Sequence, residues 1–267
     1  MEFAAFWSTF TAAFPHALAE AWDNTGVLLA GDRVTRALVC IDITDAVVDE
    51  AVRLRCDLVL AYHPILFKAV KAFDNRTRAQ RIALRLARAQ IAVVTPHTIL
   101  DSVNNGINDW LLSVALGVQD IAPLRKEHFQ AIEPTPENPA SIGKGRAVTG
   151  VSVTPEAVVQ NVRAGLMCPL RVAYPAVKKE IVESVAVCCG SGGMMFAPGK
   201  YDVVVTGEMG HHEVLEHVSA GTVVVLSEHT ETERGYLPFW ITTLKGLFPA
   251  VEFFLSTEDK SPLVYLQ

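Results

Sequence analysis

The chain has no apolar stretch approaching the roughly 18 to 20 residues that a membrane-spanning helix needs, because Asp, His, Pro or Arg interrupts each run. No membrane association is expected. It also lacks CxxC spacing. Its five cysteines (Cys40, Cys56, Cys168, Cys188 and Cys189) are odd in number and sit mostly in apolar runs, which excludes a disulfide framework and a zinc ribbon. They read as small buried hydrophobes. No Gly-x-Ser-x-Gly elbow occurs and no cysteine has a convincing His partner in sequence, so covalent nucleophilic catalysis has no support. No Lys or Arg precedes Arg33, which argues against a secretory n-region and an Arg-rich transit peptide and makes the cytoplasm the expected location. Positive charge is short overall: a net charge of -6 disfavours nucleic-acid binding driven by phosphate neutralisation.

What is present is apolar and patterned. Half of the 267 residues are hydrophobic and the mean hydropathy is positive, which excludes a disordered chain. Helical patterns at about 3–14, 44–55, 77–89 and 104–115 alternate with apolar runs at 36–43, 57–62 and 91–95, the rhythm of a layered α/β sheet covered on both faces. Arg78, Arg81, Arg85 and Arg88 fall on one side of the third helix, opposite Ile82, Leu86 and Ala89, and read as a solvated face. Between 122 and 147, Pro123, Pro134, Pro136, Pro139 and Gly143-Lys-Gly-Arg146 change the texture, so a linker is expected there, between a first α/β repeat over 1–121 and a second over 148–267. In the second, strands are expected near 148–153, 169–173 and 184–189, helices near 155–165, 209–219 and 232–246, and a last strand at 251–255.

A pattern occurs twice. Asp57-Leu-Val-Leu-Ala-Tyr-His63 followed by Ile91-Ala-Val-Val-Thr-Pro-His97-Thr-Ile-Leu-Asp101 matches Asp202-Val-Val-Val-Thr-Gly-Glu208 followed by Val223-Val-Val-Leu-Ser-Glu-His229-Thr-Glu-Thr-Glu233. Upstream, Ala37-Leu-Val-Cys-Ile-Asp42 is echoed by Val185-Ala-Val-Cys-Cys-Gly190. Superposing the copies sets His63 against Glu208, His97 against His229 and Asp101 against Glu233, so every hydrophilic position at these strand ends is a candidate metal ligand. Strand C-termini are where ligands bind in open α/β folds, and imidazole with carboxylate suits zinc, iron or manganese. A metal site built from two halves is expected. His211 and His212 read as one exposed and one packed side chain near Glu208. Gly190-Ser191-Gly192-Gly193 could present N–H groups to an anion or be a tight turn; it lacks the Lys-Ser/Thr of a P-loop.

With these residues the chain resembles the NIF-three-like family (NGG-one-interacting factor three-like), whose members are often labelled GTP cyclohydrolase I type 2 homologues. The resemblance rests on Trp22-Asp-Asn-Thr-Gly26, Tyr62-His-Pro64 with Phe67, His97-Thr98 with Asp101, Gly143-x-Gly-Arg146, Cys189-Gly-Ser-Gly192, Thr206-Gly-Glu208 with His212, and His229-x-x-x-Glu233. It implies two intertwined α/β repeats with mixed, mainly parallel sheets covered by helices, one or two divalent ions per chain, and a homohexamer. It also implies metal ligands at His63, Asp101, His229 and Glu233, with Glu233 the candidate bridge. His97 matches a family histidine at the site that is not among the firm ligands. Many bacterial members carry His-His-Pro where this chain has Tyr62-His-Pro64; Tyr62 thus stands in place of a ligand to the second ion, whose position is expected to be the poorer one.

Three readings of function follow. The first is a metal-dependent hydrolase of a nucleotide-like or other small polar substrate, with His97 or Glu208 as general base or acid. The second is a metal-stabilised scaffold for a regulatory protein partner, and the third is metal storage or delivery.

Overall fold

The computed structural model describes residues 1–119, 129–135 and 138–264. It divides into two compact units: Met1–Ile99 with Leu237–Gln267, and Leu100–Tyr236. Along the first run the elements are α1 (Phe3–Ala13), β1 (Gly26–Leu29), β2 (Arg36–Cys40), α2 (Asp45–Arg53), β3 (Leu58–Ala61), α3 (Arg78–Arg88) and β4 (Ala92–Thr95). Then come α4 (Thr98–Ser102), α5 (Ile107–Leu116), β5 (Phe129–Gln130), β6 (Glu133–Thr135), β7 (Asn138–Lys144), β8 (Arg146–Val153), α6 (Pro155–Leu166), β9 (Arg171–Ala173), β10 (Val182–Cys188), β11 (Val203–Thr206), α7 (His211–Ser219), β12 (Val223–Leu226) and α8 (Glu231–Arg234). The chain closes with α9 (Leu237–Leu247) and β13 (Glu252–Leu255).

Helices α2, α3 and α6 begin where a threonine side chain supplies a missing acceptor of the first turn. The Thr44 hydroxyl accepts from Val47 N at 3.2 Å, Thr154 does the same for α6 ahead of Pro155, and Thr77 with Gln80 forms a capping box at α3. The arginines of α3 are bound to α2 and its approach: Arg78 donates to Ile43 O at 2.6 Å, and Arg81 and Arg85 pair with Asp45 at 3.0 and 2.8 Å.

The first unit's sheet has the order β1-β4-β3-β2-β13, with β1 antiparallel and the rest parallel. Strands β2, β3 and β4 are buried along nearly their whole length because both faces are covered. Leu38, Cys40, Val59, Ala61 and Val93 meet Val47, Val48 and Ala51 of α2 and Ile82 and Leu86 of α3. Alternate residues point the other way, where α1 and the residue just after α9 supply aromatic contacts including Phe6–Phe248 with ring centroids 4.5 Å apart.

The second unit's sheet runs β5-β8-β10-β11-β12-β9, and β6 and β7 form a separate ribbon. Its section β9-β12-β11-β10 repeats β1-β4-β3-β2: a short antiparallel edge strand, then the third, second and first parallel strands. The duplication read from the sequence is therefore a duplication of topology. Each repeat's closing pieces join the other unit's sheet, however. Helix α5, which closes the first repeat, packs on α6 and β10, and β8 pairs with β10; helix α9, near the end of the second, packs on β13 and β2. This exchange intertwines the repeats, and it explains why the units do not follow the expected 121/148 boundary.

The expected linker needs correction on the same ground. In 122–147 the described residues are largely strand, β5 to β8, while 122–128 and 136–137 lie outside the described residues. Pro134 and Gly143 face each other in the β6–β7 ribbon, where no central ladder is broken. The last helix, expected unbroken over 232–246, is interrupted at Gly235-Tyr236. A Cβ on Gly235 would stand 2.5 Å from the Trp110 ring. Among the described residues no helix is long and apolar enough to cross a membrane.

The aspartate that opens each copy of the pattern has a structural task. Asp57 accepts from Thr35 N at 2.9 Å and Arg36 N at 3.1 Å; Asp202 accepts from Glu183 N at 2.8 Å and Ser184 N at 3.1 Å. Each carboxylate ties the start of its strand to the strand beside it. Burial raises the Asp202 pKa, but Lys179 and the N–H groups outweigh it and hold the carboxyl below its ordinary value. Its contribution is therefore present above the unfolded carboxylate pKa of about 4 and lost as pH falls through the lower folded value. Asp202→Asn is expected to cost about 2 kcal/mol at pH 7, the scale of one charged hydrogen bond. Urea denaturation should show the gap closing on acidification, and a gap independent of pH would refute this account.

Candidate functional site

In the second unit, β11 and β12 run parallel with Thr206 beside Leu226, so the residues just beyond them emerge at one edge. Gly190, just past β10, accepts from both Gly207 N and Glu208 N at 3.0 Å, which stitches the three strand ends together. There His229 Nδ1 lies 3.0 Å from Glu208 Oε2, and the same oxygen accepts from the Ser191 hydroxyl. His229 Nε2 faces Glu233 Oε1 at 3.4 Å. The short α8 turn, in which Glu233 N bonds Thr230 O at 3.1 Å, raises Glu233 above the histidine ring. Glu233 is buried, with its side chain 2 % exposed, while His229 and Glu208 are partly open. The Ser191 and His229 hydrogen bonds hold the Glu208 carboxyl below its usual range against the opposing effect of burial, so Glu208 is an anion at neutral pH.

Gly190 is bare for a reason of space. Its φ is +63°, and a Cβ there would come within 2.9 Å of Glu233 Oε1 and 3.0 Å of His229 Nε2. Two of the loop's N–H groups are turned inward, Gly190 N donating to Thr232 Oγ1 at 2.8 Å and Gly192 N to Thr206 Oγ1 at 3.1 Å, and the Ser191 hydroxyl is engaged by Glu208. It is a tight turn that brings backbone up to the His229–Glu233 pair.

Asp101 lies on α4. Its carbonyl accepts from Asn108 Nδ2 at 3.1 Å and Arg146 Nη1 at 3.5 Å. The fully buried Arg146 also donates to the carbonyls of Ser102 and Val103 at 3.0 and 3.1 Å and to Asp109, which closes the end of α4 and fixes that carbonyl. Burial, then the charge of Asp101, pushes the Cys188 and Cys189 thiols upward. Both sulfurs are thereby kept out of thiolate chemistry.

In the first unit, His63 follows β3, with Nδ1 3.2 Å from Asp42 Oδ1. His97 follows β4, with Nδ1 2.8 Å from Asp23 Oδ1, and has a φ of +36°. The Asp23 side chain is wholly shielded and also accepts from the Thr98 hydroxyl at 2.6 Å. Burial would raise its pKa, yet the His97 and Thr98 bonds hold it below normal. Tyr62 is buried, its ring 5.1 Å from His63 and 5.4 Å from His97.

His211 and His212 are both exposed, with rings 5.3 Å apart; neither is the packed member that was expected. The apolar face of α7 is set by Val214 and Val218 instead.

Three residues passed unnoticed in the sequence. Asp23 was visible only as part of a turn, and Asp42 only as the partner of Gly190 in the repeat. Asp259 gave no signal: 7 % exposed, it accepts from Ile41 N at 2.6 Å and Asp42 N at 3.4 Å, so the C-terminal segment steadies the residue that holds His63.

A duplicated α/β chain with histidine–carboxylate pairs at its strand ends has the donor set of a metal-binding protein. The family profile described as Duf34/NIF3 (NGG1p interacting factor 3) matches residues 1–262, and the chain belongs to that family. It is 34 % identical over 257 residues to NIF3-like protein 1 of Drosophila melanogaster, covering 94 % of this chain and 84 % of the relative. It is 32 % identical to NGG1-interacting factor 3 of Saccharomyces cerevisiae, covering 95 % and 93 %. Among solved structures, the Bacillus cereus protein related to NIF3 superposes with a TM-score of 0.82 at 19 % identity, covering 100 % and 99 %. Reduced HcgD from Methanocaldococcus jannaschii does so at 0.78 and 20 %, covering 96 % and 97 %. These two likenesses establish the fold.

Gly190→Ala tests the crowding at the site against Gly221→Ala, whose φ is also positive, +92°, but whose Cβ would meet nothing within 4 Å. Both should lose about 1 kcal/mol to the left-handed backbone. Urea denaturation should show a further loss for Gly190→Ala alone, and equal losses would remove the steric argument.

Proposed function

We propose that this chain is a divalent-metal-dependent hydrolase of a small polar, nucleotide-like substrate, with His63, Asp101, His229 and Glu233 as its metal ligands. The observation that carries the reading is the chain Ser191–Glu208–His229–Glu233. A carboxylate on one ring nitrogen fixes tautomer and orientation while the other nitrogen faces an acid, the outer arrangement that metal-ligating histidines use. The nitrogen and oxygen donors fit zinc, iron or manganese, and the bare Gly190 keeps the His229–Glu233 pair unobstructed.

When bound, the ion would polarise the bond attacked and lower the pKa of water toward ~7. His97 then acts as general base or acid: Asp23 occupies its Nδ1 and orients the ring, so proton exchange falls to Nε2, as in a histidine–aspartate dyad. Glu208, held as an anion, serves as the orienting partner of His229. Tyr62 supplies no imidazole, so one tight ion per chain and a weaker second are expected. A homohexamer and a cytoplasmic location belong to the same reading.

A non-catalytic second reading, a metal-stabilised scaffold for a regulatory protein, is favoured by the name of the yeast relative, NGG1-interacting factor 3. Calorimetric titration of metal-free protein with zinc or manganese should give near-unit stoichiometry at the tight step. His229→Ala and Glu233→Gln should each weaken that step at least about tenfold. Metal-loaded protein inert across a broad panel of nucleotides and phosphoesters would overturn hydrolysis in favour of the scaffold, and unchanged affinity in both variants would overturn the ligand assignment.

A further inference from the structure

Two large aromatic side chains of the first unit stand open beside His97. Trp22 is 60 % and Phe67 49 % exposed. Their ring centroids lie 6.0 Å apart with planes at 60°, and both rings meet the His97 imidazole edge-on, at 6.1 and 6.4 Å. Tyr62 closes the inner side, 5.4 Å from the same imidazole. Core packing does not account for an indole left this open.

The loops that carry the two rings are held in place. Asp23, directly after Trp22, is locked by His97 and by the backbone and hydroxyl of Thr98, at 2.8, 3.2 and 2.6 Å. Asn24 Nδ2 donates to Leu66 O, one residue before Phe67, joining the two loops. Thr25 Oγ1 lies 3.0 Å from His16 Nδ1 and secures the far end of the turn. The loops that carry the exposed rings are thus fixed by hydrogen bonds rather than by burial, which is preorganisation for a ligand. Two exposed rings tilted 60° to each other beside an imidazole offer aromatic surface that a flat ring can stack on or meet edge-on and an aliphatic chain cannot.

We propose that Trp22 and Phe67 form a stacking corner for the planar heteroaromatic ring of a small ligand, whose polar end is thereby carried to His97 and His63. This rests on the hydrolase reading and names its substrate class: a compound joining a flat ring to a polar or anionic group.

The test is calorimetry on the full metal-loaded chain with adenosine 5′-monophosphate, nicotinamide mononucleotide and, as the ring-free control, ribose 5-phosphate. The mononucleotides should bind roughly tenfold or more tightly than ribose 5-phosphate, the scale of base stacking on an aromatic side chain. Trp22→Ala and Phe67→Ala should each abolish most of that difference, and Trp22→Phe should restore it. Because both rings are largely exposed, the variants should keep the wild-type circular dichroism and thermal midpoint. Equal binding of ribose 5-phosphate, unchanged affinity in Trp22→Ala, or no binding of either mononucleotide would overturn the corner. Zinc titration of the same preparations separates the two ideas: metal bound normally while ring selectivity is missing refutes the corner alone, whereas loss of metal binding refutes the site beneath it.

Discussion

Each parallel core in this chain is covered on both faces, and that constraint governs where chemistry can sit. Residues such as Leu58–Ala61 or Val203–Thr206 have no solvent-facing side, so an ionisable group within them would be buried without a partner, at a cost of several kcal/mol. Polar side chains are driven to the positions just beyond the last strand residue. Because the strands are parallel and in register, those positions share one edge in each sheet. His63 and His97 in one unit and Glu208 and His229 in the other follow from this constraint. So does the matching pair of aspartates at the opposite ends, Asp57 and Asp202, which join neighbouring strands where each core begins.

This is why so much of the arrangement was legible in the amino-acid sequence. Short β-branched runs closed by a histidine or acid mark the core strands and their functional edge together, and their recurrence marks the duplication. What escaped has equally physical causes. The proline- and glycine-rich stretch before Arg146 has the composition of a linker, yet Pro134 and Gly143 sit in a two-stranded ribbon that demands no central ladder. The exchange of α5 and α9 between repeats was invisible because an amphipathic helix encodes an apolar face but not which sheet receives it. Asp259 lies more than two hundred residues from the N–H groups it satisfies, and no local pattern announces so distant an acceptor.

The two strand-end sites are alike in topology and unlike in surroundings. In the second unit His229 lies among carboxylates: Glu208 on one nitrogen, Glu233 facing the other, and Ser191 bonded to Glu208. Anionic oxygens gathered around a single imidazole draw a cation. In the first unit His97 has a single, fully shielded carboxylate on one nitrogen, and aromatic rings enclose it. Such surroundings suit a histidine that exchanges protons and contacts an organic ligand.

Tyr62 is the residue through which the repeats diverge. An imidazole at that strand end would extend the donor set of the first copy and make it more like a second metal half-site. The phenol instead packs against both His63 and His97, whose own rings lie 5.4 Å apart, and adds a buried aromatic surface to the pair. Tyr62 therefore offers no imidazole donor there and supplies a wall. With Trp22 and Phe67 exposed beside His97, the first copy is the aromatic one of the pair. The carboxylate-rich second copy retains the means to bind metal.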